Sequence, residues 1–263
     1  RDLVRSRGLD VYKRQPMWIP KWLGECYSKL FTHFGQELFT FQQAKELLSM
    51  SETKLAVAFS KLHTKRILLI FSPGKPRLYR LLDPENFILL ASETIKNLEK
   101  IPQERYLRLI CDCFHQTSAT LNLEAFVVYG SVARGNATPN SDVDVLLISE
   151  DLSGSLGSRI GKLYHIEKTR HAELEWLRRH NIHTGVSFYP LRKVEAQRLP
   201  NLFLDLTEEA VILHDKNHFL ESTLLELKMK LLKMGAKRVF INKEQWYWDL
   251  KPDYKFGETV AVA

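Results

Sequence analysis

The sequence is short of cysteine, with only Cys26, Cys111 and Cys113 in 263 residues. Three scattered thiols cannot build a disulfide framework, and no second Cys/His pair stands at zinc spacing from Cys111 and Cys113. They read as plain thiols, which suits a reducing cytoplasm. Long apolar runs are also missing. None approaches the ~18 residues that a membrane span needs, so no membrane partner is expected. Residues 1–16 hold no apolar segment of the kind a secretory signal carries, and no methionine, the first being Met17. With Arg1, Arg5, Arg7, Lys13 and Arg14 they read as a disordered extension or a gene-calling artefact. Acid is absent from one long stretch: Lys54 to Arg80 carries seven basic residues and neither Asp nor Glu. The formal charge of +7 divides as +3 in residues 1–16 and +4 in 17–91, leaving the remainder neutral. The positive charge is therefore local and needs a local explanation.

What is present is ordinary globular protein, 44% hydrophobic and 26% charged, with room for two domains. Helical apolar spacing runs from Trp22 to Phe34 and stops at Gly35. Thr40 with Gln43 is a capping box opening a helix through Leu48, and Ser49 with Glu52 reads as a second, opening a helix through about Thr64. Residues 67–71, the turn 72–75 and residues 77–82 read as a β-hairpin. Three helices and a hairpin over residues 17–85 make a winged helix-turn-helix domain. Lys54, Lys61 and Lys65 would line one stripe of its third helix, and Lys75, Arg77 and Arg80 its wing. That is the electrostatic outline of a duplex-DNA binder. The same surface also fits a solvated face of a protein-interaction module. Residues 86–124 read as helical, divided near Ile101-Pro102 into a connector and the first helix of a second domain that spans 125–263.

Within that domain Ala125–Tyr129 is an apolar, β-branched and aromatic run that reads as a buried strand. Gly130-Ser131 breaks it, and Ala133-Arg134 can open a helix. Glycine lets the backbone approach an anion closely, and the freed amides and serine hydroxyl favour phosphate. After a polar loop, Ser141-Asp-Val-Asp144 leads into the strand Val145–Ile148. Alternation along a strand puts Asp142 and Asp144 on one face, where two carboxylates can share a hard cation such as Mg²⁺.

The pattern Gly-Ser-x-Ala-Arg-Gly followed by Ser-Asp-x-Asp stands at Gly130, Ser131, Ala133, Arg134, Gly135, Ser141, Asp142 and Asp144. In this the chain resembles the minimal branch of the DNA polymerase β-like nucleotidyltransferases, fused to an N-terminal winged helix as in prokaryotic, especially archaeal, proteins. The resemblance implies an α/β (α+β) domain with a small mixed sheet and flanking helices. It implies an enzyme moving a nucleoside monophosphate from an NTP to a hydroxyl, with Mg²⁺ or Mn²⁺ as cofactor. Gly130, Ser131 and Arg134 would bind the nucleotide, and Asp142 and Asp144 would be catalytic and hold the metal. The acceptor would be a protein hydroxyl, such as that of a toxin partner, or a small molecule.

A loop over 149–158 and a single helix over 159–179 are expected next, then a third strand, 183–190, ended by Pro190. In polymerase β-like transferases this strand normally supplies a third acid. Here it has none, and Ser187 lies near the acid's expected place. Glu195 and Asp205 lie beyond it, and His183 is a lone candidate base. Residues 202–209 read as an amphipathic segment and 210–214 as a fourth strand. A helix from Leu220 to Met234 ends at Gly235, followed by a hairpin with Trp246, Tyr247 and Trp248. The missing acid keeps a second reading open: a winged-helix DNA-binding regulator whose transferase domain binds nucleotide without efficient turnover. Which NTP, which acceptor and which oligomer are left open.

Overall fold

A computed structural model describes residues 19–167, 171–242 and 245–253. The expected N-terminal extension, 1–16, lies outside the described residues, as does the end of the tail beyond 253. The first unit comprises α1 (Lys21–Phe34), α2 (Phe41–Leu48), α3 (Glu52–Thr64) and the antiparallel hairpin β1 (Leu68–Ser72) and β2 (Leu78–Leu81). Gly35 ends α1 at φ 54°, and the Thr40–Gln43 capping box is formed on both sides. The second box is not. Ser51 caps α3, accepting from the Lys54 amide, while Ser49 closes α2 in a left-handed conformation. Two helix ends two residues apart leave only the nearer serine free to cap. Leu23, Leu30, Phe39, Leu55, Phe59, Leu62, Ile67 and Leu81 form this unit's core.

The connector is broken rather than continuous. Asp83 caps α4 (Pro84–Ala91), with Pro84 in its first turn, and 3₁₀ turns at 98–100 and 104–106 precede α5 (Leu107–Thr120). The second unit then follows as β3 (Leu123–Tyr129), α6 (Gly130–Arg134), β4 (Val143–Ser149), α7 (Leu156–Glu167), α8 (His171–Arg179), β5 (Val186–Leu191), α9 (Lys193–Ala196), α10 (Leu202–Glu209), β6 (Val211–Asp215), α11 (Phe219–Met234), β7 (Lys237–Phe240) and β8 (Trp246–Asp249). The single helix expected over 159–179 is two helices. Strand order in the central sheet is β5-β4-β3-β6, with β4 and β5 parallel and the other neighbours antiparallel. Pro190 sits inside β5, opposite Leu147, instead of ending it. An edge strand tolerates a residue with no N–H to donate.

Apart from Glu124, which pairs with Lys193 and Lys216, β3 is apolar because helices cover both faces of the sheet. Phe126 and Val128 point to a core shared with Leu107, Ile110, Phe114, Trp176 and Leu177. Ala125 and Val127 point to Phe203, Leu206, Leu220 and Leu227. The expected C-terminal helix and hairpin are present, with Gly235 closing α11 in a left-handed conformation.

Arg80 corrects the reading of the wing. Only 2% exposed, it points inward from β2 and donates from Nη1 and Nη2 to the two carboxylate oxygens of Glu173 on α8, at 2.6 and 2.8 Å. Its Nε donates to the Gln36 carbonyl at 3.0 Å, and its Cζ stands 3.4 Å from the centre of the Trp176 ring. A guanidinium so enclosed is not available to a nucleic acid. Arg108 lies 3.4 Å from Glu173 and 3.5 Å from Asp83, extending the buried ion network that joins the two units.

Candidate active site

The site forms where β3 hands over to α6 and β4 begins. Gly130 takes φ +70°, and a Cβ there would stand 3.1 Å from Asp144 Cγ and inside the contact radius of its Oδ2. Only glycine allows backbone and carboxylate to approach so closely. The loop between α6 and β4 is pinned from outside. Gln103 exchanges hydrogen bonds with the Ala137 backbone, and the Tyr106 hydroxyl donates to the Thr138 carbonyl at 2.8 Å. Ser141 Oγ accepts from the Thr138 amide at 2.9 Å, which makes this serine a turn-former.

Asp142 precedes β4 and is exposed; its Oδ1 accepts from the Gly185 amide at 2.9 Å. Thr184 Oγ1 donates to the Ser141 carbonyl at 2.8 Å and the His183 amide to the Pro139 carbonyl at 2.7 Å. The approach to β5 thus fixes the first aspartate. Asp144 lies on β4, half-buried beneath Gly130. Burial, and then the neighbouring charge of Asp142, hold its carboxyl above the ordinary aspartate range, with Arg134 opposing and Glu209 adding. Burial and Asp144 likewise push the Tyr129 hydroxyl upward. Two like charges held together in this way form a donor set that a hard cation would neutralise.

The parallel register places Ser187 directly across from Asp144, and its hydroxyl hydrogen-bonds the Asp144 carboxylate. A serine therefore occupies the position next to the aspartates on the strand without an acid. Glu195 folds elsewhere, gripping Arg159 through both carboxylate oxygens at 2.6 and 2.8 Å, which draws its carboxyl down to about 2. His183 is exposed. No cluster of three His, Cys, Asp or Glu side chains suited to a metal occurs among the described residues.

Arg134, the last residue of α6, donates to Glu209 Oε2 at 2.7 Å. Trp246 is already singled out in the sequence within the aromatic tail, whereas Glu209, Gly185 and Arg238 are neighbours of the site that sequence reasoning misses. Each arrives from a distant segment, and none carries a local motif. The aromatic tail is packed: Trp246 and Trp248 both donate from Nε1 to Asp205 Oδ1, at 2.8 and 2.9 Å.

Residues 107–176 match the nucleotidyltransferase domain family. The match contains Gly130, Ser131, Arg134, Asp142 and Asp144 and runs from α5 into α8. No curated protein matches the chain. Among solved structures, a toxin-antitoxin crystal structure with AMP-PNP is similar at 12% identity and a TM-score of 0.32, covering 48% of this chain and 92% of that one. A mutant of the MntA-HpeT toxin-antitoxin is similar at 10% identity and a TM-score of 0.31, with the same coverages. The nucleotidyltransferase match ends before β5, so it covers neither Ser187 nor Glu209.

Of the basic residues expected on the first unit, Lys54, Lys61, Lys75 and Arg77 are exposed and Lys65 is partly so. Lys61 Nζ stands 5.9 Å from the centre of the Trp22 ring, leaning toward α1. No described helix is long and apolar enough to cross a membrane.

Proposed function

We propose that the chain transfers a nucleoside monophosphate from an NTP to a hydroxyl. The observation that carries this reading is the contact between Gly130 and Asp144, beside Asp142 and within the matched domain. Asp142 and Asp144 would hold Mg²⁺ or Mn²⁺, which when bound supplies charge neutralisation for the phosphates. The glycine leaves the Gly130-Ser131 backbone open to a polyphosphate, and the loop pinned by Gln103 and Tyr106 keeps both carboxylates in place before substrate arrives. Ser187 orients Asp144 without adding charge. Proton removal from the acceptor then has no carboxylate on β5, which favours slow turnover. The acceptor is a protein hydroxyl, a toxin partner's included, or that of a small molecule.

The first unit we read as a winged helix-turn-helix, on the order of its elements and the exposed Lys54, Lys61, Lys75 and Arg77. Ser187 in place of an acid favours a second reading, in which nucleotide binding regulates DNA contact without turnover. Titration calorimetry with Mg²⁺ and AMP-PNP tests the site itself. Wild type should bind, and Asp142→Asn with Asp144→Asn should not; equal binding by both proteins would sink the assignment.

A further inference from the structure

We propose that Glu209 is a built-in counterion for Arg134, exchanged for nucleotide phosphates on binding, with Arg238 as the cation that retains it. The inference rests on the nucleotide-binding reading of Gly130, Ser131 and Arg134. Glu209 ends α10 with its side chain 8% exposed, too enclosed to stand unpaired. Its Oε2 accepts from Arg134 Nη1 at 2.7 Å and lies 3.6 Å from Arg238 Nη2.

Both arginines lie over the Trp246 ring, Arg134 Cζ at 5.0 Å and Arg238 Cζ at 3.8 Å from its centre, but they differ in exposure. Arg134 is 30% exposed and starts on the short helix that carries Ser131. Arg238 is 14% exposed. Trp246 is anchored in turn by Asp205, one helical turn before Glu209 on α10. Arg238 Nη2 is also 3.8 Å from Asp205 Oδ1. Its Nε and Nη2 are shielded from solvent and make no hydrogen bond.

Those idle donors are what makes an exchange possible. A guanidinium prefers phosphate oxygens, which it can grip in bidentate fashion. Leaving a buried carboxylate would normally be opposed by the charge left behind. Here a small movement brings Glu209 onto donors that make no hydrogen bond, Asp205 standing 3.8 Å from one of them. The fixed arginine keeps the carboxylate, and the exposed one goes to the nucleotide. In the absence of nucleotide, Glu209 competes for Arg134 and weakens polyphosphate binding.

The test is calorimetric titration of AMP-PNP, with Mg²⁺ throughout, into wild type, Glu209→Gln, Arg238→Met and the double variant, alongside Asp142→Asn with Asp144→Asn. Glu209→Gln should bind about ten-fold tighter, the scale of one charge-assisted hydrogen bond. Arg238→Met should bind more weakly by a similar factor, and that loss should vanish in the Glu209→Gln background. Adenosine, which has no phosphates, should show no gain from Glu209→Gln. Unchanged or weaker binding by Glu209→Gln, with binding still lost in the double aspartate variant, overturns the exchange and leaves the site standing. Wild type that fails to bind AMP-PNP overturns both. Should Arg238→Met melt below the assay temperature, Glu209→Gln alone decides.

Discussion

Replacing Gly130 by alanine perturbs one atom at the centre of the site. The residue has φ +70°, a conformation that costs an L-residue about 1–2 kcal/mol. The added methyl also meets the Asp144 carboxylate, its Cγ at 3.1 Å and its Oδ2 closer still. The carboxylate must yield by on the order of 1 Å, several times the ~0.2 Å tolerance of metal–ligand distances. The strain alone should lower the melting temperature by roughly 2–8 °C in a chain of this size. The displaced carboxylate should abolish the additional stabilisation that Mg²⁺ with AMP-PNP gives wild type. Gly24→Ala is the control. It lies in α1 with open space around it, so alanine there should stabilise by about 0.5–1 kcal/mol and leave nucleotide binding alone. Thermal melts of the three proteins with and without Mg²⁺ and AMP-PNP make the comparison. A Gly130→Ala protein that melts with wild type and is stabilised equally by nucleotide would refute the close-contact argument.

Burial pushes Asp112, at the junction of the two units, up to about 7, with Glu173 and Asp83 adding and the Asn86 hydrogen bond and Arg108 opposing. The folded protein then holds this proton more tightly than the unfolded chain, so the group's contribution to stability falls as pH rises toward 7. Between pH 5.5 and 7.5 the loss is roughly 2 kcal/mol, and Asp112→Asn should melt increasingly above wild type over that interval; a difference independent of pH would refute it. For the first unit, Lys61→Glu with Arg77→Glu should abolish a salt-sensitive mobility shift of duplex DNA, and binding indifferent to both charge and salt would remove the DNA reading.

The parts of the fold legible in the sequence were those encoded locally. The Thr40–Gln43 box, the stop at Gly35 and the Gly130–Asp144 pattern each fit within one or two elements. The register of Ser187 against Asp144 was foreshadowed by the position of its strand. Charge proved a poorer guide. Arg80 looks like Lys75 and Arg77 in the sequence, but β2 turns it toward Glu173, nearly a hundred residues further along the chain. Glu209 and Arg238 were invisible for the same reason: nothing near Glu209 announces a partner on α6, and nothing near Arg238 announces one on α10. Ser49 stands three residues before Glu52, the spacing of a capping box, but only the backbone decides that it closes the earlier helix and leaves the cap of α3 to Ser51.

The buried fork between Arg80 and Glu173 makes the first unit a handle. A load applied at the hairpin passes into α8 through the Arg80 guanidinium and the Phe71 ring, which meets Trp176 and His180 there, and α8 leads to β5 and so to Ser187 and the approach that holds Asp142. Freeing the hairpin means separating that buried pair, at a cost of about 3–5 kcal/mol, and parting Phe71 from Trp176 and His180 as well. That resists ordinary thermal swinging and is still within reach of a tight partner. Whatever grips the first unit is therefore presented to the aspartates at one angle, and a grip strong enough to draw the bolt would be transmitted to the site as torque.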